Sequence, residues 1–165
     1  PGAQRQLGAK YFHGRKGLKK SAKRAAQLYE LSAAKGYAPA QFALALCYAE
    51  GSGVKLDPKR AARYYQLAAD QGYAPAQYNL GNMYDDGRGV IKSNDEAVRY
   101  YQLAAAQGYA KAQYNLAVCY AIGKGVPRDL HEALRLFKRS AAGGHSEAQG
   151  AVEVIEARLL ATGSQ

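Results

Sequence analysis

The chain has no tryptophan, one methionine, two cysteines and three histidines among 165 residues. No apolar run approaches the roughly twenty residues that a membrane-spanning helix needs. Nothing at the start has the basic, apolar and small-residue order of a secretory leader. The chain opens at Pro1-Gly2 directly on a helical pattern, as expected of a piece trimmed from something longer. Cys47 and Cys119 stand 72 residues apart. At about 10 Å per stacked helix pair, their Cα atoms would lie about 20 Å apart, whereas a disulfide needs less than about 7 Å. Two reduced, buried thiols are expected, a pattern suited to a reducing compartment, although no compartment is specified.

Chemistry is scarce as well. His13, His131 and His145 share no spacing with cysteines or carboxylates that suits a metal, and His131-Glu132 lacks the second histidine of a zinc helix. Gly51-Ser52-Gly53, Gly87-Arg88-Gly89 and Gly123-Lys124-Gly125 have no strand before them and no Gly-Lys-Ser/Thr after, so they are turns and not phosphate loops. No nucleophile–base pair stands out. The expectation is no enzyme, no cofactor and no metal.

Acids are few: 13 against 23 Lys and Arg, a net charge of +10. Pro1–Lys35 has nine cations and one acid, net +8, and Gly36–Gln165 has fourteen and twelve, net +2. The excess is concentrated in Arg15, Lys16, Lys19, Lys20, Lys23 and Arg24. Such a cluster attracts nucleic acid, anionic membrane or an acidic protein surface. No aromatic interleaves it to stack bases. A solvated end or an acidic protein contact is therefore favoured over nucleic acid. Cations at the start of a helix also oppose its dipole, which hints at a use.

What the chain does have is repetition. Gly36–Val54, Gly72–Val90 and Gly108–Val126 are versions of one segment, 36 residues apart. A fixed period of this size marks a stacked-repeat protein. Ala-Gln recurs at Ala3, Ala40, Ala76, Ala112 and Ala148. The expected units are 3–39, 40–75, 76–111 and 112–147, with a last helix over 146–161, all in one domain spanning 1–165. Each unit reads as two helices. The first, such as Ala76–Asp86, carries Gln77, Leu80, Gly81 and Tyr84 on one face and stops at a glycine turn. The second starts at Ser21, Asp57, Ser93 or Asp129, all good N-caps, with Glu96 and Glu132 completing capping boxes. It ends at Gly36, Gly72, Gly108 or Gly143, where a left-handed residue is wanted. Small residues (Gly8, Ala45, Gly81 and Ala117, opposite Ala62, Ala97 and Ala133) let the helices close. In the last helix, Glu153 and Glu156 replace the small residue and the tyrosine, as fits a cap on the stack.

These residues resemble the Sel-1-like repeat family, a relative of the tetratricopeptide repeats. The pattern AxAQYNLGxMYxxGxGVxxDxxxAxxYYxxAAxQGY is carried most fully by Ala74–Tyr109. Departures are the longer first turn, Leu136 and Phe137 in place of Tyr100 and Tyr101, and the last helix. The resemblance implies an all-α fold: a right-handed αα superhelix, or solenoid, of four repeats plus a C-terminal capping helix. It implies an adaptor or scaffold that holds a protein or peptide and performs no chemistry, with nucleic acid or anionic membrane as the rival partner.

In such stacks the first helix of each pair lines the concave side. Helical geometry then places Arg5 and Phe12, Phe42, Leu46 and Glu50, Tyr78, Asn82, Asp85 and Asp86, and Tyr114, Val118 and Ile122 along a groove. Phe42, Tyr78 and Tyr114 have two readings, groove anchors or packing between repeats. Leu46, Val118 and Ile122 vary between repeats and make an apolar floor, as interaction surfaces do. Asn79 and Asn115 stand within reach of a peptide backbone. Asp85-Asp86 reads as a clamp for a partner's cation or as a solvated pair.

Overall fold

The computed structural model describes residues 2–14 and 21–163, with backbone alone at 162 and 163. Regular structure among the described residues is helical throughout: α1 (Gly2–His13), α2 (Ala22–Ala33), α3 (Ala38–Glu50), α4 (Pro58–Ala69), α5 (Ala74–Asp86), α6 (Asn94–Ala106), α7 (Ala110–Ile122), α8 (Leu130–Ala142) and α9 (Ala148–Gly163). The chain divides into two compact units, Pro1–Lys92 with α1 to α5 and Ser93–Gln165 with α6 to α9. Within each unit every helix packs on the next along the chain.

The second helices start where the sequence puts their caps. Asp57 Oδ1 accepts from the Arg60 amide at 3.0 Å, and Ser93 Oγ from the Glu96 amide at 3.2 Å. Ser21 and Asp129 cap α2 and α8 likewise. The capping box at Asp129 is not closed. Its amide already donates to the Tyr120 carbonyl at 2.9 Å, so Glu132 turns outward and grips Arg135 at 2.6 and 2.7 Å. One helix end also differs from expectation. The left-handed residue of the fourth repeat is Gly144, φ 85, and not Gly143. The 36-residue period runs from Gly108 to Gly144. At Gly143, φ is −79, and a Cβ would lie 2.8 Å from that of Ala110, so its glycine serves close packing. The expected helix Ala76–Asp86 starts two residues earlier, because Pro75 sits comfortably in a first turn.

Within each unit, buried core positions recur at the repeat period. Ala25, Ala61, Ala97 and Ala133 are buried, and a Cβ on Gly8 would fall 2.7 Å from the Tyr29 ring and 3.3 Å from the Ala25 carbonyl. Ala61, rather than the expected Ala62, therefore occupies the register of Ala97 and Ala133; Ala62 is buried one position on. The repeating glutamine has a role that its pattern did not reveal. Gln41, Gln77 and Gln113 are buried, and their Nε2 atoms donate to the Ala33, Ala69 and Ala105 carbonyls at 3.4, 3.2 and 3.2 Å. Each adds a second donor to a carbonyl at the end of the preceding helix that already accepts from the Gly36, Gly72 or Gly108 amide at 2.9, 2.9 and 3.0 Å, so the glutamine ties the next helix to that turn. Gln113→Leu is expected to cost about 1 kcal/mol, since it removes one buried hydrogen bond while the Ala105 carbonyl keeps the Gly108 amide. Urea denaturation followed by circular dichroism measures it.

The turn glycines carry a second inter-repeat contact. A Cβ on Gly53 would lie 2.2 Å from the Ala22 carbonyl oxygen, one on Gly89 2.2 Å from that of Pro58, and one on Gly125 2.7 Å from that of Asn94. Each turn is thus seated on the first residues of the previous repeat's second helix. At the far end, α9 packs on α8 through Ala148, Val152 and Ile155, while Glu153 is exposed and Glu156 pairs with Lys138 at 2.7 Å.

Candidate functional site

Two cavities open between consecutive first helices, one in each unit. In the first unit, α3 supplies Leu46 and Glu50, α5 supplies Asn79, Asn82 and Met83, and Arg88 reaches in from the turn, around about 220 Å³. The floor includes Tyr65 of α4, whose hydroxyl is hydrogen-bonded to Asn79. In the second unit, Tyr114, Val118 and Ala121 of α7 face Val154 and Ile155 of α9 across about 240 Å³, with Phe137 at the base and Glu147 at the edge. The two share one register. Leu46 and Val118, Tyr65 and Phe137, and Asn82 and Val154 are each 72 residues apart. Their chemistry differs: the first offers amides and both charges, the second aromatic and aliphatic side chains with one carboxylate.

Of the groove residues expected from the sequence, Leu46, Glu50, Asn82, Tyr114 and Val118 line these cavities. Ile122 is 62% exposed on the same helix as Val118. The aromatics have packing duties. Phe42 meets Tyr65 at 5.7 Å and Tyr73 at 5.4 Å, and Tyr114 meets Phe137 at 5.3 Å and stacks on His145 at 4.4 Å. Tyr78 is half-buried and engaged in the fold. Asp86 pairs with Arg88 of its own turn at 3.5 Å, which answers its charge locally, and Asp85 is half-buried. Arg5 and Phe12 lie on α1, where Phe12 sits edge-on to His13 at 5.2 Å. In the basic cluster, Lys23 and Arg24 are exposed on α2, with Arg24 over the Tyr11 ring at 5.6 Å. Arg15, Lys16, Lys19 and Lys20 lie outside the described residues. The wheel missed Tyr65, Arg88 and Glu147, which come from second helices and turns. The recurrence of a bulky ring at positions 65, 101 and 137 was the available signal.

Titratable groups near the first cavity are shifted away from reactivity. Burial pushes the Cys47 thiol up to about 11, aided by the Glu50 carboxylate. Burial likewise lifts Tyr65 to about 12, against the pull of the Asn79 hydrogen bond. Neither cysteine is in a disulfide, and both are buried. A thiol so protected is neither a nucleophile nor a ready ligand. Unfolded, the thiol titrates near 8.5 and the phenol near 10. Between about pH 8.5 and 12 the unfolded chain therefore binds fewer protons than the folded one, and stability falls as pH rises. The urea midpoint is expected to drop from pH 8 to pH 11, and Cys47→Ala to remove the early part of that drop. Among the described residues no three His, Cys, Asp or Glu side chains converge as a metal site, and no helix is long and apolar enough to cross a membrane.

The family model described as Sel1 repeat matches residues 1–37, 38–73, 74–109 and 110–145. No curated protein sequence matches the chain. A solved Sel1 repeat protein from Oxalobacter formigenes is 34% identical over 92% of this chain, with a TM-score of 0.85. This chain spans 62% of that protein's length. A protective antigen of uropathogenic Escherichia coli with an SLR fold is 29% identical over 97% of this chain and 42% of its own, at a TM-score of 0.49. Helicobacter pylori cysteine rich protein B shares the fold, at 20% identity over 79% of this chain and 97% of its own and a TM-score of 0.66. Sel1 repeat proteins are generally protein-interaction modules and typically non-catalytic scaffolds. Its all-helical hairpins, their 36-residue period and the four matched repeats establish that this chain belongs to the Sel1 repeat family.

Proposed function

We propose that this chain is a non-catalytic adaptor that holds a protein or peptide partner on the face of its first helices. One observation carries the reading. Each unit leaves a cavity at the same register of that face, walled by Leu46 in one and Val118 in the other. The repeat geometry recreates the gap at each such place, but the half-buried apolar Leu46 and Val118 on its wall are side chains that a partner would cover. An extended segment on the first unit's face would meet Asn79 and Asn82 as polar partners, and one on the second unit's face would meet apolar walls. The test is capture of a partner from source lysate by the wild-type chain and by Leu46→Glu and Val118→Glu variants, with helicity monitored. Retained capture by the variants would overturn the assignment.

A further inference from the structure

The turns of repeats two, three and four share one geometry. A Cβ on Gly51, Gly87 or Gly123 would meet the Cβ of Leu56, Lys92 or Arg128 at 3.3, 3.1 and 3.3 Å. Two of these equivalent positions hold cations, as a solvated turn favours. The second hairpin holds Leu56 instead, and it is 57% exposed. Around it lies a cleft of about 650 Å³ floored by Tyr48, Val54 and Leu56 and rimmed by Lys55, Lys59 and Arg60.

The rim is basic by construction. Helices α6 and α8 open with acids, Asp95 and Glu96 in one and Glu132 in the other, whereas α4 has no acid in its first turn and carries Lys59 and Arg60 there. Cations at that end oppose the helix dipole, and an incoming carboxylate would answer both. Residues 1–92 hold fifteen Lys and Arg against six acids, net +9, while residues 93–165 hold eight against seven, net +1. Asp57 is committed within the site: it caps α4 through the Arg60 amide at 3.0 Å and lies 3.4 Å from the Arg60 side chain. Arg60 is steered over the Tyr48 ring, 5.5 Å from its centroid, and its Nη1 donates to the Tyr48 hydroxyl at 3.3 Å.

We infer that this cleft binds an acidic polypeptide segment bearing one aliphatic or aromatic anchor. The anchor covers Leu56 and Val54, and flanking carboxylates meet Lys55, Lys59 and Arg60. A nucleic acid fits less well. The Tyr48 ring is buried, stacked on Tyr64 at 5.8 Å and covered by Arg60, so it presents no open face to a base. The site uses neither Leu46 nor Asn82 and stands independently of the first-helix reading.

Fluorescence anisotropy on the full chain tests it, with three labelled probes at physiological salt. One is a short peptide of aspartates and glutamates around a central Leu-Phe pair, one the same peptide with serines at the centre, and one an oligothymidylate of equal charge. The Leu-Phe peptide is expected to bind about tenfold more tightly than the serine peptide, the scale of burying one apolar side chain. Leu56→Lys installs a residue that the third turn already carries, so the fold is kept. It should weaken the Leu-Phe peptide about tenfold and spare the serine peptide. Lys59→Glu should weaken both, and Leu46→Glu neither. The inference falls if Leu56→Lys leaves or strengthens binding of the Leu-Phe peptide, if the oligothymidylate binds as tightly, or if no peptide binds.

Discussion

Gly89→Ala is expected to lose about 3 kcal/mol of stability, several times what a turn glycine with open space around it costs. Two effects add. The residue sits at φ 71, where any Cβ costs about 1 kcal/mol. The new atom would also lie 2.2 Å from the Pro58 carbonyl oxygen and 2.9 Å from the Lys59 nitrogen. Those are backbone atoms of α4, and they cannot swing aside as a side chain would. The turn must lift off the helix it is seated on, losing packing as well as gaining strain. Gly72 has a similar φ, 78, but nothing within 4 Å of its would-be Cβ. Gly72→Ala should therefore cost only the conformational share, about 1 kcal/mol. At this size each kcal/mol moves Tm by about 2–4 °C. Thermal melts should thus show Gly89→Ala falling by about 6–12 °C and Gly72→Ala by about 2–4 °C. Equal shifts would mean that the second turn glycine merely shapes its own turn.

The second large effect concerns partner capture. Leu46→Glu and Val118→Glu are each expected to weaken capture by at least about thirtyfold, and together to abolish it. Both side chains wall a cavity and are half-buried, so a partner seated there would cover them. Placing a carboxylate under that partner forfeits the apolar contact and leaves a desolvated charge, a loss of about 2 kcal/mol or more at each site. Tyr78 is a poorer probe, because it is engaged within the fold and its loss would confuse binding with stability. Ile91, 90% exposed in a turn, supplies the control: Ile91→Glu should capture as well as the wild type. Quantifying the captured partner beside far-ultraviolet circular dichroism separates lost binding from lost helix.

Much of the fold was legible because local chemistry repeats with the period. Ser21, Asp57, Ser93 and Asp129 announce four helix starts, and each satisfies its own first turn from three residues or fewer away. Contacts between repeats were less legible. Gln77 reports its recurrence, but its acceptor is a carbonyl eight residues back that belongs to another helix. Gly89 reads as turn chemistry, and only its closeness to Pro58, 31 positions away, shows the seat it occupies. The same holds for the site. A helical wheel selects Leu46, Asn82 and Val118 because they leave the buried stripe of their own helices. It has no means of adding Tyr65 or Arg88, which enter from α4 and a turn. Gly143 misled because two adjacent glycines compete for one role, and the strict period, which favours Gly144, was the better guide.

The most direct test is hydrogen–deuterium exchange on the captured complex, compared with the free chain. Holding by the first-helix face predicts slowed exchange in α3, α5 and α7 around Leu46, Asn82 and Val118, with α4 and α8 unchanged. Slowed exchange confined to the second helices, or none in either unit, would contradict it.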